Sequence, residues 1–138
     1  MKKIVILPII AVLSFMASAL LASQNEDFIQ IALKNLGIDV SGQRKQIEVA
    51  LPNDLAQTSQ WGVHDFACKN GGYDLSAYSG QAVFLTSFPI KQLYGTEPLN
   101  VHILSKDNAI ICIYVAVQEG STLTPGVFAI NDPKIHKK

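Results

Sequence analysis

Apolar residues change their spacing several times along the chain, and each change marks an element. Phe28, Ile31, Ala32 and Leu36, flanked by Ile29 and Leu33, recur at helical spacing, and Ser23 with Glu26 forms a capping-box pattern ahead of them. A first helix is therefore expected from about Gln24 to Leu36. Gly37 offers a left-handed stop, after which Ile38 and Val40 can fold back over the last turn. Lys45 to Leu51 alternates polar with apolar side chains, which suits a half-exposed edge strand, and Pro52 ends it. Leu55, Thr58, Trp61, Phe66 and Ala67 then line one side of a second helix. It is expected over about Asp54 to Asn70, between an Asp54/Gln57 cap and the Gly71-Gly72 stop. Gly62 in its middle costs about 1 kcal/mol relative to Ala, and marks close packing or a kink.

Beyond Gly80 the period falls to two. Ala82, Phe84, Thr86 and Phe88 point one way and Val83, Leu85 and Ser87 the other, which predicts a strand over Gln81 to Ile90 with Pro89 at its end or at an edge. Tyr94 to Pro98 reads as a turn. Asn100 to Val117 carries a long apolar run and a reversal at Lys106-Asp107-Asn108, the pattern of a β-hairpin. A three-residue loop with Asn108 left-handed would set Ser105 opposite Ala109. Ile103 then pairs with Ile111 and Val101 with Ile113 on an aliphatic face, while His102 meets Cys112 and Asn100 meets Tyr114 on a mixed one. From Glu119 the periodicity is lost, and Gly120, Pro125, Gly126 and Pro133 suggest a long loop with a short strand at Val127 to Ile130. The expected fold is α+β, with two helices packed on one face of an antiparallel sheet of about four strands ending in a three-strand meander.

The start of the chain changes where this domain is expected to work. Lys2 and Lys3, the apolar Ile4 to Met16 and the small Ala17-Ser18-Ala19 make the three regions of a signal peptide over residues 1–19. The competing reading is an uncleaved anchor over residues 1–22, since the 19 residues from Ile4 to Ala22 carry no charge. Both place Gln24 onward outside the cytoplasm, secreted or in the cell envelope, and the membrane is involved only if the leader is retained. Ser23 stands where a lipid-bearing Cys would be needed, so lipid attachment is excluded. Cleavage after Ala19 leaves about 119 of the 138 residues, enough for one domain over 24–133 with a basic tail at 134–138. Without Lys2 and Lys3 there are 9 basic against 11 acidic residues, so no excess positive charge exists to hold nucleic acid.

The stretch Gly72-Tyr73-Asp74-Leu75-Ser76-Ala77-Tyr78-Ser79-Gly80 resembles the G-aromatic-D-L-S-x-Y-x-G turn of an uncharacterised bacterial family, domain of unknown function 4830. Leu36 to Val40 is similar to that family's first helix end, Val49 to Pro52 to its strand-Pro step, and Leu99 to Val117 to its closing hairpin. Cys112-Ile113 departs from the small residues of the family pattern. The resemblance implies an exported or anchored envelope protein of related fold, and it carries over no functional residue.

Candidate chemistry is sparse. Cys68 and Cys112 are the two cysteines, expected either as a disulfide or as separate buried thiols. His64 and Cys68 are four apart on one helix face, and His102 lies opposite Cys112 in the expected register. A Cys2His2 metal site is thus conceivable, although packing or a disulfide is preferred. Trp61, Tyr73, Tyr78 and Tyr94 could form an exposed recognition patch or close the end of a core. No nucleophile elbow, phosphate loop or dinucleotide fingerprint occurs, and no pattern sets a serine beside a histidine. No catalytic, metal or cofactor residue is therefore assigned. The expected function is a non-enzymatic, envelope-associated binding or accessory domain, its partner an envelope or extracellular protein. Alternatives are a protease-inhibitor or propeptide-like module presenting Ser121 to Pro125, and a small hydrolase or metal-dependent enzyme.

Overall fold

The computed structural model describes residues 28–123 and 126–135; the leader, the expected helix start at Gln24 and most of the basic tail lie outside them. A first helix, α1, covers residues 28–35 and ends as its sequence predicts. Gly37 is left-handed at φ +72°, and the Ile38 amide turns back to donate to the Leu33 carbonyl at 3.0 Å. Then follow β1 (Lys45–Ala50), α2 (Ser59–Asn70), β2 (Ala82–Tyr94), β3 (Glu97–Lys106), β4 (Ala109–Val117) and β5 (Val127–Ala129). The strands form one antiparallel sheet in the order β1-β2-β3-β4-β5, so the meander runs through all five. The fold is α+β, as expected.

The helices do not share a face. Ile29 and Leu33 of α1 pack with Val101, Ile103, Ile113 and Val115, whereas Ala67 and Cys68 of α2 pack with Leu104 and Cys112. Successive strand residues point to opposite faces, so these two sets lie on opposite sides of the sheet. The one-face arrangement fails because β4 is apolar at odd and even positions alike, which, with the buried Leu104 of β3 on the second side, leaves two faces to cover.

The hairpin register also differs from the expected one. The turn holds two residues, with Asp107 and Asn108 both left-handed at φ 52° and 61°, so Lys106 rather than Ser105 faces Ala109. A bulge after Ile110 slips the pairing by one more, and Ile103 then meets Ile113, Val101 meets Val115, His102 meets Tyr114 and Leu104 meets Cys112. Two slips of one residue restore the expected facing of Val101, Ile103 and Ile113 while changing every partner, but Ile111, expected on the aliphatic face, sits at the bulge and packs with Cys112 on the α2 side.

Two further boundaries move. The expected second helix is split into a 3-10 turn (Leu55–Gln57) and α2, because Thr58 is extended and its hydroxyl accepts from the Trp61 amide. Strand β2 runs past Pro89 to Tyr94, and the reversal shrinks to Gly95-Thr96 between the paired Tyr94 and Glu97. Pro89 is tolerated inside the strand because its carbonyl accepts from Ser41, so its nitrogen faces that same side, beyond the end of β1. The β2–β3 register shifts between Pro89 and Leu93, and there the buried Gln92 ties the strand to the end of α1. Its Nε2 donates to the Gly37 carbonyl at 2.9 Å, and its Oε1 accepts from the Asp39 amide at 3.0 Å.

Candidate functional site

Strand register alone builds a row of chemically active side chains on the face under α2. Lys45 pairs with Ser87, Ser87 with His102 and His102 with Tyr114, one residue from each of four adjacent strands. Directly paired residues point to the same side of a sheet. Ser87 Oγ and His102 Nδ1 lie 2.7 Å apart, a short hydrogen bond. From α2, His64 stacks on Tyr114 with ring centroids 4.8 Å apart, and His102 stacks on the same ring at 5.1 Å. Trp61 meets His64 edge-on at 5.3 Å. The helix is fixed above this column by a Cys68–Cys112 disulfide, whose Cα atoms are 5.6 Å apart and whose sulfurs are fully buried.

Burial sets the electrostatics. It lowers the His64 pKa, and it lowers that of His102 to about 4, with repulsion from His64 adding to the effect. Desolvation raises the phenols of Tyr114 and Tyr73 above the ordinary tyrosine value. Near neutral pH the column is thus an uncharged stack of two imidazoles around a phenol. Among the described residues His64 Nδ1 is buried without a hydrogen-bond partner, as is Oδ1 of Asp65, whose Oδ2 pairs with Lys69 Nζ at 3.0 Å.

Beside the column the sheet face opens into a groove of about 260 Å³, lined by Gln43, Lys45, Ser87, Asn100 and Gln118 with Phe88 and Pro89. No α2 residue contributes to this lining. Gln118 Nε2 donates to the Leu99 carbonyl at 3.3 Å, which leaves its oxygen for the groove.

Of the residues singled out from the sequence, Cys68 and Cys112 come together as the disulfide, and the buried-thiol reading is set aside. The bond takes both thiolates from the Cys2His2 metal reading. Trp61, Tyr73, Tyr78 and Tyr94 do not form one surface. Trp61 and Tyr78 are half-buried against the core under α2, and Tyr73 touches both cores. Tyr94 belongs to the α1 side, where it stacks on Phe128 at 3.7 Å. Sequence reasoning missed the Ser87–His102 contact, the groove and the buried Gln92. Finding Ser87 opposite His102 requires the β2 irregularity, since the pairing continued from Tyr94–Glu97 would set Ser87 against Leu104. No family model, curated protein or solved structure matches this chain.

Proposed function

We propose that this chain is an exported, non-enzymatic binding domain of the cell envelope, with the groove beside Lys45 and Ser87 as its ligand site. The observation that carries the reading is the buried Cys68–Cys112 disulfide, a bond that persists in oxidising compartments and agrees with the leader-like residues 1–19. Among the described residues no helix is long and apolar enough to cross a membrane. The Gly72 to Gly80 turn, which carries the family resemblance, has structural work: Asp74 Oδ1 accepts from the Ser76 amide, and Leu75 is fully buried. It supports an envelope role only through that likeness.

The test is thiol accessibility in cells. The full chain, expressed with its own leader, should resist alkylation until reductant is added, and should leave the cytoplasm. A chain found reduced in the cytoplasm overturns the reading. In-cell crosslinking of the exported form then identifies what it contacts.

The Ser87–His102 contact is the observation that favours the hydrolase alternative. It is the weaker reading, because a histidine held to a pKa of about 4 is a poor general base near neutral pH. The inhibitor alternative rests on Ser121 to Pro125, of which residues 124 and 125 lie outside the described chain.

A further inference from the structure

We propose that the groove takes a small organic carboxylate, with Lys45 holding the carboxylate and the amides of Asn100 and Gln118 reading a hydrogen-bonding group next to it. The inference rests on the binding-domain reading and adds the chemical class of the ligand. Its first support is charge. Among the described residues Lys45 is the only charged side chain in the lining and no carboxylate shares that lining, so the site presents one positive charge among neutral polar groups. Its second support is orientation. Lys45, Ser87 and Asn100 stand on three adjacent hydrogen-bonded strands, and sites on sheet elements hold geometry better than sites on loops. The Ser87 hydroxyl is fixed by His102 at 2.7 Å, and the Gln118 amide by the Leu99 carbonyl, so two of the polar groups are set before a ligand arrives.

Size limits the ligand. The groove, at about 260 Å³, lies just under the range of small-molecule pockets and suits a molecule between an amino acid and a monosaccharide. The Pro89 ring adds an apolar patch, while the amides and the hydroxyl supply both donors and acceptors. A free sugar acid and the end of a peptide share this chemistry.

The test uses the exported full chain and two pairs of probes that differ at the carboxylate: glucuronate with glucose, and N-acetyl-dialanine with its C-terminal amide. Backbone amide shifts are followed by NMR at Lys45, Ser87, Asn100 and Gln118. The acid of at least one pair should bind saturably and about five- to tenfold more tightly than its neutral twin. The pair that responds tells a sugar acid from a peptide terminus. Lys45→Gln should abolish the preference for the acid, and Asn100→Ala should weaken acid and twin alike, with the dispersed spectrum of both variants reporting that they fold. Equal binding of acid and twin, or a preference that survives Lys45→Gln, overturns the carboxylate assignment and leaves the binding domain standing. No saturable shift with any probe up to about 10 mM, some tenfold above a weak millimolar affinity, overturns the ligand class itself. The binding-domain reading is judged separately, by the thiol and crosslinking experiments.

Discussion

The two faces of the sheet are built on different principles. Under α1 the contacts are aliphatic: Ile29 and Leu33 of the helix sit on Leu99, Val101, Ile103, Ile113 and Val115, and all of these are buried. Under α2 the helix fully buries only Ala67 and Cys68, while Phe66 points outward at 69% exposure. Shape and apolar area suffice for the first face. The second compensates for its small buried stripe with a covalent bond and a stack of polar rings. A helix that cannot hold itself by burial can be fastened at one point, and this leaves neighbouring sheet surface free for a ligand.

The sharpest way to break the comparison is to remove the fastening. Cys68 and Cys112 are 44 residues apart, and closing a loop of that length stabilises by about 4 kcal/mol in the chain-entropy model. The Cys68→Ala/Cys112→Ala double variant should lose about that much in denaturant unfolding. Amide exchange should quicken first in Ser59–Asn70, while Val101, Ile103, Ile113 and Val115 stay protected. Uniform loss of protection over both faces would mean that the α2 side is no more dependent on its bond than the α1 side. The reciprocal change, Ile103→Ala, should cost about 3 kcal/mol through lost burial and a cavity under α1.

Acid should separate the faces next, because the two histidines among the described residues, His64 and His102, lie on one of them only. His102 is lowered from 6.5 to about 4 by burial, so the unfolded chain binds its proton more readily than the folded one. Its contribution is complete above pH 6.5 and is lost as the pH falls through 4, and the lowered His64 acts in the same direction. Between pH 7 and 4 the wild type should lose up to about 3 kcal/mol more than His102→Asn does. Parallel stability curves for the two proteins would show that the imidazole protonates without opposing the fold. Groups facing it are Ser87, Tyr114 and His64, none of them an anion near neutral pH.

How much of this was legible in the sequence depends on whether a feature is local. The α1 stop at Gly37, the Asp54 cap and the strands β1 and β2 follow from residues within one turn of each other, and all are present. The facing of Val101 and Ile103 also held, although every partner changed, because side-chain alternation survives a slip of two residues. The side on which each helix packs was not legible. A strand that is apolar at both odd and even positions carries no label for its faces, and β4 is such a strand. The candidate site was hidden for a related reason. Ser87, His102 and Lys45 meet only through two strand registers, one shifted by an irregularity that no turn residue announces. The cysteine pairing was visible as an alternative and needed a distance to decide it.

The smallest expected effects set neighbouring residues of β2 against each other. Thr86 is fully buried on the aliphatic side, opposite Ile103, and its Oγ1 has no hydrogen-bond partner among the described residues. Ser87, the next residue, points to the other face and satisfies His102 Nδ1. Replacing an unpaired hydroxyl by a methyl removes a desolvation penalty, so Thr86→Val should raise stability by about 1 kcal/mol. Deleting a paired hydroxyl strands its partner, so Ser87→Ala should lower it by a similar amount. Equilibrium unfolding of both variants in urea at pH 7 checks the signs, and the double variant should return close to wild type if the sites act independently. A loss in Thr86→Val would mean that Oγ1 has a partner such as a bound water, and that the α1 face relies on polar contacts after all.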